Sequence, residues 1–209
     1  MKVLLVNGSP NREGCTYTAL SEIAKTLEEN GIETEIFQIG NKPVRGCIGC
    51  GGCAKSEKGK CVFEDDVVSE LIDKAKEADG YIFGSPVYYA SPNGTLLAIL
   101  DRLFYSAGKY MKYKPAACIA SARRAGTTAT YDVLNKYLGI NNMLMVPSCY
   151  WNMVHGREAE DVKQDLEGLQ IMRTIGRNMA WMLKLLESGK QNGIEIPEPE
   201  ATVRTNFIR

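Results

Sequence analysis

Four cysteines, Cys47, Cys50, Cys53 and Cys61, fall within the stretch "CIGCGGCAKSEKGKC" at the spacing C-x2-C-x2-C-x7-C. Thiolates this dense have three uses. They ligate a 4Fe–4S cluster, whose irons take cysteine sulfur from a tightly wrapped loop. They hold a structural zinc ion, for which four sulfurs suffice although paired C-x2-C knuckles are commoner. Or they remain reduced thiols in a turn-rich loop. No Cys-Pro follows, so the run is not the ferredoxin one. The glycines at 46, 49, 51, 52 and 59 allow the loop to fold round a ligand and raise the entropic cost of ordering it empty.

Three other stretches carry polar chemistry. "NGSPNREGCTYT" (7–18) enters a helix, and its hydroxyls and helix-start N–H groups form a cradle suited to a phosphate monoester. It lacks the Lys-Ser/Thr of an ATP-hydrolysing loop and the spacing G-x-G-x-x-G. The bland reading is an ordinary capped helix start. "GSPVYYASPNGTLLAILDR" (84–102) holds Tyr88 and Tyr89 between Pro86 and Pro92, where a planar ring can stack; the alternative is packing on the core or on a neighbouring subunit. "SARRAGTT" (121–128) sets two arginines at a second anion-friendly helix start. The single histidine, His155, makes a Ser-His-Asp mechanism a poor expectation.

The elements that position these loops alternate. Strands are expected at 2–6, 33–39, 80–86, 115–122 and 142–148, from apolar runs or alternation. Helices are expected at 18–30, 65–79, 94–107 and 127–139, with a last one from about Glu158 to Leu186. Such alternation implies a parallel sheet covered by helices on both faces. Ligands of such a sheet collect at the C-terminal ends of its strands, where all three polar stretches lie. Two connections, 40–64 and 148–157, are longer than a compact domain carries without a use for them.

The chain has 209 residues, 44% apolar, with 25 basic side chains against 25 acidic. That length fits one domain. The charge balance gives no footprint for nucleic acid or anionic lipid. No run of apolar residues reaches membrane-spanning length, and "MKVLLVNGSP" lacks a secretory apolar core. The expectation is a cytoplasmic protein with reduced thiols. Seven cysteines is an odd number, which argues against a disulfide framework.

Together, "GSP…GCTYT", the cysteine loop and "SPVYYASPNGTLLAILDR" resemble the flavodoxin-like NADPH-dependent FMN reductases, and among them the iron–sulfur flavoproteins and their cluster-free relatives. The resemblance covers roughly residues 1–150. It implies a flavodoxin-like, doubly wound, five-stranded parallel sheet of order 2-1-3-4-5, noncovalent FMN, and homodimers or homotetramers. It implies one FMN-binding domain over 1–190, with the Cys-rich loop 44–64 inserted between strand two and helix two, and a C-terminal extension over 191–209. Ser9, Arg12, Cys15, Thr16, Tyr17 and Thr18 would surround the phosphate; the family often has Asn at the position of Cys15. Pro86, Val87, Tyr88, Tyr89 and Gly94 would line the isoalloxazine ring, with Ser121, Arg123, Arg124 and Gly126 along its far edge. A cluster, if present, would sit on Cys47, Cys50, Cys53 and Cys61. The implied activity is electron transfer from NAD(P)H or ferredoxin through FMN to a quinone, a flavin or another small acceptor. Flavin N5 carries that chemistry, with no catalytic side chain. The alternatives are a non-enzymatic carrier of the flavodoxin type, which zero net charge disfavours, and a flavin-free binding module on the same sheet. On the last helix, Met179, Trp181 and Met182 spread too far round for one buried face and point to an oligomer. The terminal "TNFIR" is expected to be irregular.

Overall fold

Strand β1 (Lys2–Asn7) is buried from Val3 to Asn7, so its apolar run faces a core on each side. Leu4 and Val6 enter one core; Val3 and Leu5 enter the other. The computed structural model describes residues 1–57, 59–201, 203 and 205. β1 lies between β2 (Glu33–Gln38) and β3 (Gly80–Tyr88), both parallel to it. Next to β3 lies β5 (Pro115–Ala122), again parallel, and β6 (Leu144–Met145) pairs with its first two residues. The order β2-β1-β3-β5-β6 is the expected 2-1-3-4-5 once β4 (Ser91–Pro92), a two-residue antiparallel partner of β3, is set aside.

Helices α3 (Val67–Glu77), α4 (Gly94–Met111) and α5 (Thr127–Ile140) cover the face holding Leu4, Phe83 and Cys118. Helices α1 (Cys15–Glu29), α6 (Ala159–Gln164) and α7 (Leu166–Gln191) cover the face holding Leu5, Ile82 and Ile119. Residues 44–64 run between β2 and α3 and contain the single turn α2 (Gly52–Lys55). Among the described residues no helix is long and apolar enough to cross a membrane.

Three expectations on the C-terminal side need correction. The last helix is not continuous: α6 ends and α7 begins at Asp165, whose carboxylate accepts from the backbone N–H of Gly168 at 2.9 Å and of His155 at 2.7 Å. That N-cap breaks the chain direction although the apolar periodicity runs on. The strand expected over 142–148 pairs only at Leu144 and Met145. The segment 148–157, read as a loop, contains β7 (Met153–His155), parallel to the end of β5. The outer edge of β5 is thus covered by two short strands, with an excursion between them. On α7, Met179 is buried, while Trp181, Leu185 and Leu186 are exposed. Residues 206–209 of "TNFIR" lie outside the described residues.

Candidate functional site

The loop after β1 is shaped by two buried or half-buried amides. Asn7 accepts from Ser9 N–H at 3.1 Å through Oδ1 and donates through Nδ2 to Gln38 Oε1 at 2.5 Å and to the Arg12 carbonyl at 3.4 Å. Gln38 in turn donates to the Ser9 carbonyl at 2.7 Å. Ser9 Oγ accepts from Asn11 N–H at 3.1 Å. Gly8 N–H donates to the Gly84 carbonyl at 2.8 Å, and a Cβ at Gly8 would lie 2.5 Å from that oxygen. Only glycine fits this crossing of β1's exit over β3.

The loop opens onto the N-terminus of α1. No side chain caps this helix and no acid stands in its first turn. Its first N–H groups and the positive end of its dipole therefore face the loop without a side-chain partner. α5 begins the same way, uncapped at Gly126. By contrast, α3, α4 and α7 are capped by Asp66, Asn93 and Asp165, and α6 has a capping box; the single turn α2 in the thiol loop is the other uncapped start. The two bare helix starts stand at the C-terminal ends of β1 and β5. A buried bond between Thr16 Oγ1 and Ser121 Oγ, 2.8 Å apart, ties the first turn of α1 to the end of β5.

The loop after β3 is a hairpin. Val87 pairs with Pro92 and Tyr88 with Ser91, leaving Tyr89 and Ala90 at the tip with φ of +50° and +56°. Two positive φ values are the signature of a type I′ turn, usually filled by Asn-Gly. Ala90 and Val87 touch the start of α5: a Cβ on Gly126, which has φ +93°, would meet each at 2.8 Å. Asn93 locks the hairpin from below. Its backbone N–H donates to Ser85 Oγ at 3.0 Å, its Nδ2 donates to the Gly8 carbonyl at 2.8 Å, and its Oδ1 accepts from Thr95 N–H at 2.9 Å, capping α4. Sequence reasoning passed over Asn93, although an Asn before Gly-Thr at a helix start is an N-cap signal.

Of the expected residues, Ser9, Thr16, Ser121 and Gly126 gather with Pro86 and Val87 at one sheet edge. Arg12, Arg123 and Arg124 are exposed around it. Tyr88 is exposed and Tyr89 fully so, and Gly94 has open space beside it. Thr18 turns its hydroxyl back to the Gly14 carbonyl at 3.2 Å. Tyr17 is half-buried. Cys15 points its thiol at the Gly156 carbonyl, 3.4 Å away, and burial pushes its pKa up.

The other four thiols form a second place. Cys47, Cys50, Cys53 and Cys61 all line one cavity of about 150 Å³, with Val62, Phe63, Arg102 and Ser106 among its other walls. A water occupies roughly 30 Å³, so the space suits a group larger than one ion. Among the described residues, no three Cys, His, Asp or Glu side chains are grouped to hold a single metal ion. All seven cysteines are free. Arg102, 1% exposed, organises the loop. Its Nη1 donates to Asp66 Oδ2 at 2.5 Å and to the Arg45 carbonyl at 3.1 Å; its Nη2 donates to the Phe63 carbonyl at 2.9 Å. Its Nε donates to Cys61 Sγ at 3.3 Å. Burial opposes its charge, but the bonds to Asp66 and Cys61 outweigh that and hold its pKa above the ordinary guanidinium value. No role for Arg102 was read from the sequence. Its signal was a cation within the buried stripe Leu96, Ile99, Leu100 and Leu103.

The sequence model described as NADPH-dependent FMN reductase matches residues 1–158. An iron–sulfur flavoprotein of Methanocaldococcus jannaschii is 34% identical over 195 residues, 90% of this chain and 100% of the relative. A second iron–sulfur flavoprotein of that organism is 29% identical, covering 85% of this chain and 94% of the relative. The crystal structure of RosB with a bound 8-demethyl-8-formylriboflavin-5'-phosphate intermediate superposes with a TM-score of 0.65 at 17% identity, covering 100% of this chain and 92% of that one, a likeness of fold. The chain therefore belongs to the NADPH-dependent FMN reductase family, an FMN-binding group of flavodoxin-like oxidoreductases that includes the iron–sulfur flavoproteins.

Proposed function

We propose that this chain is an FMN-dependent oxidoreductase that takes electrons from NAD(P)H or a ferredoxin and delivers them to a quinone, a flavin or another small acceptor. The pocket formed by Cys47, Cys50, Cys53 and Cys61 holds a 4Fe–4S cluster. The observation that carries the flavin reading is the pair of uncapped helix starts, α1 and α5, that follow β1 and β5 at one sheet edge, with Thr16 of α1 bonded to Ser121 of β5. A phosphate monoester supplies the acceptors and the negative charge that such helix ends lack.

Ser9, Thr16 and the first N–H groups of α1, from Cys15 to Tyr17, hold the phosphate, with Thr18 stiffening that turn and Arg12 at its rim. Cys15 contributes its backbone, because its thiol is engaged with Gly156. Pro86, Val87, Tyr88, Tyr89 and Gly94 line the ring. Ser121, Arg123, Arg124 and Gly126 border its far edge, where exposed guanidiniums stabilise negative charge on the reduced ring. FMN, once bound, supplies hydride acceptance and one-electron steps; the chain supplies position and charge. The cluster reading rests on the shared cavity and on the names of the iron–sulfur flavoprotein relatives.

Exposed Trp181, Leu185 and Leu186 on α7 support a homodimer or homotetramer. Sedimentation of a lone chain at micromolar concentration contradicts that. A cytoplasmic setting keeps the four thiols reduced for assembly. Anaerobic turnover assays with NADH, NADPH or reduced ferredoxin and a soluble quinone test the activity. Turnover with at least one donor is expected, and none with any of them overturns the enzyme reading in favour of a carrier.

A further inference from the structure

One residue lining the thiol cavity carries a buried hydroxyl with no partner. Ser106 is 4% exposed, lines the same cavity as the four cysteines, and has an Oγ without a hydrogen bond. A buried unsatisfied donor is costly, which makes it a marker for something that bonds to it. Ser106 stands one helical turn after Arg102 on α4, so both reach the same wall. Arg102 already donates Nε–H to Cys61 Sγ at 3.3 Å, and Asp66 with the carbonyls of Arg45 and Phe63 fixes the rest of its fork. The cavity thus counts two hydrogen-bond donors, Arg102 and Ser106, among its lining residues beside the four sulfurs.

We infer that Arg102 and Ser106 are tuning residues for the sulfur-ligated group of this pocket: Arg102 donates to the Cys61 sulfur, Ser106 donates to a sulfide of the group itself, and both favour its reduced form. The inference rests on the cluster reading above. Reduction adds one electron and makes no bond, so the sulfurs become more negative and accept more strongly. A fixed donor is then worth more after reduction than before, and hydrogen bonds to the sulfurs are among the determinants of such potentials. Ser106 was not marked by the cysteine motif, because it lies far along the chain on a helix that sequence reading assigned to the sheet face.

The test uses the full-length chain, reconstituted anaerobically with iron and sulfide, and a redox titration with dithionite followed by electron paramagnetic resonance. Ser106→Ala is expected to keep its iron and to shift the cluster midpoint about tenfold toward the oxidised form, 59 mV for one electron, with the flavin midpoints unmoved. Arg102→Lys keeps a cation, loses the Nε–H bond, and is expected to shift the same way. A fully loaded Ser106→Ala protein with an unchanged midpoint overturns the role of Ser106; the same result for Arg102→Lys overturns that of Arg102. If Arg102→Lys loses the cluster while Ser106→Ala does not shift, Arg102 is structural only and the inference fails. Iron counted first in the unaltered protein separates the two levels: no iron there removes the cluster reading itself.

Discussion

Thr16 Oγ1 and Ser121 Oγ lie 2.8 Å apart, a buried bond that joins the first turn of α1 to the end of β5 across 105 residues of sequence. It holds the uncapped start of α1 against the end of the strand that leads to α5. Burial of both hydroxyls means that each depends on the other for its hydrogen bond.

Thr16→Val leaves Ser121 Oγ buried without its partner. The expected loss is about 1–3 kcal/mol, the cost of a stranded polar group. Ser121→Ala acts alike, and the double variant loses less than the sum because neither hydroxyl remains. Urea unfolding of the three variants measures this, and FMN titration is expected to show weaker binding in each. Additive losses contradict the shared bond.

The tip of the hairpin carries strain, since Tyr89 and Ala90 adopt φ of +50° and +56° without being glycine or asparagine. Ala90→Gly relieves the left-handed conformation at one of them and is expected to stabilise by up to about 1 kcal/mol. Thermal unfolding reads it. If the strained tip positions Tyr89 for the flavin ring, FMN affinity falls as stability rises; a lowered melting temperature contradicts the strain.

Asp66 faces Arg102 with both side chains nearly excluded from water, and its other oxygen caps α3 at Val68 N–H, 3.1 Å away. Asp66→Asn retains an acceptor for the cap but leaves a buried guanidinium without its counter-charge. A loss of about 3–5 kcal/mol is expected, with disorder of the thiol loop visible as faster hydrogen exchange over residues 44–64. A loss well under 1 kcal/mol shows the pair to be dispensable.

Glu35 binds Lys2 at 2.6 Å and Lys74 at 2.5 Å, and these bonds, the Lys2 one foremost, hold its carboxyl below its usual pKa. The folded value is the lower one, so the unfolded chain takes up the proton first. The stabilisation is present above the unfolded value, near pH 4.3, and is lost as pH falls through and below it. Glu35→Gln is therefore expected to flatten the fall in unfolding free energy between about pH 5 and pH 3. An unchanged slope contradicts the assignment.

The central strands were readable because β1, β3 and β5 carry apolar runs that only a doubly covered strand explains; the order of the sheet came from the family resemblance. The edge was not. β7 is three residues long, too short for any period. "NMLMV" looked like a longer strand because Met143 and Val146 are buried beyond the two residues that pair. The break at Asp165 is invisible in the apolar pattern of α6 and α7, since it depends on His155 and Gly168 offering their N–H groups from two sides. In the site, the hydroxyl and glycine positions announced themselves by type and by their place after strands. Asn93 and Arg102 did not, because each acts through a partner far along the chain, Gly8 and Cys61, and Ser106 did not, because only the fold brings it to the thiol cavity.

An absorbance spectrum of anaerobically purified protein, with flavin and iron quantified, tests the central claim most directly. The account predicts flavin bands with a broad shoulder, about one FMN and about four irons per chain. Colourless protein that takes up no FMN at millimolar supply contradicts the whole reading, and flavin bands with under about a tenth of an iron per chain contradict the cluster alone.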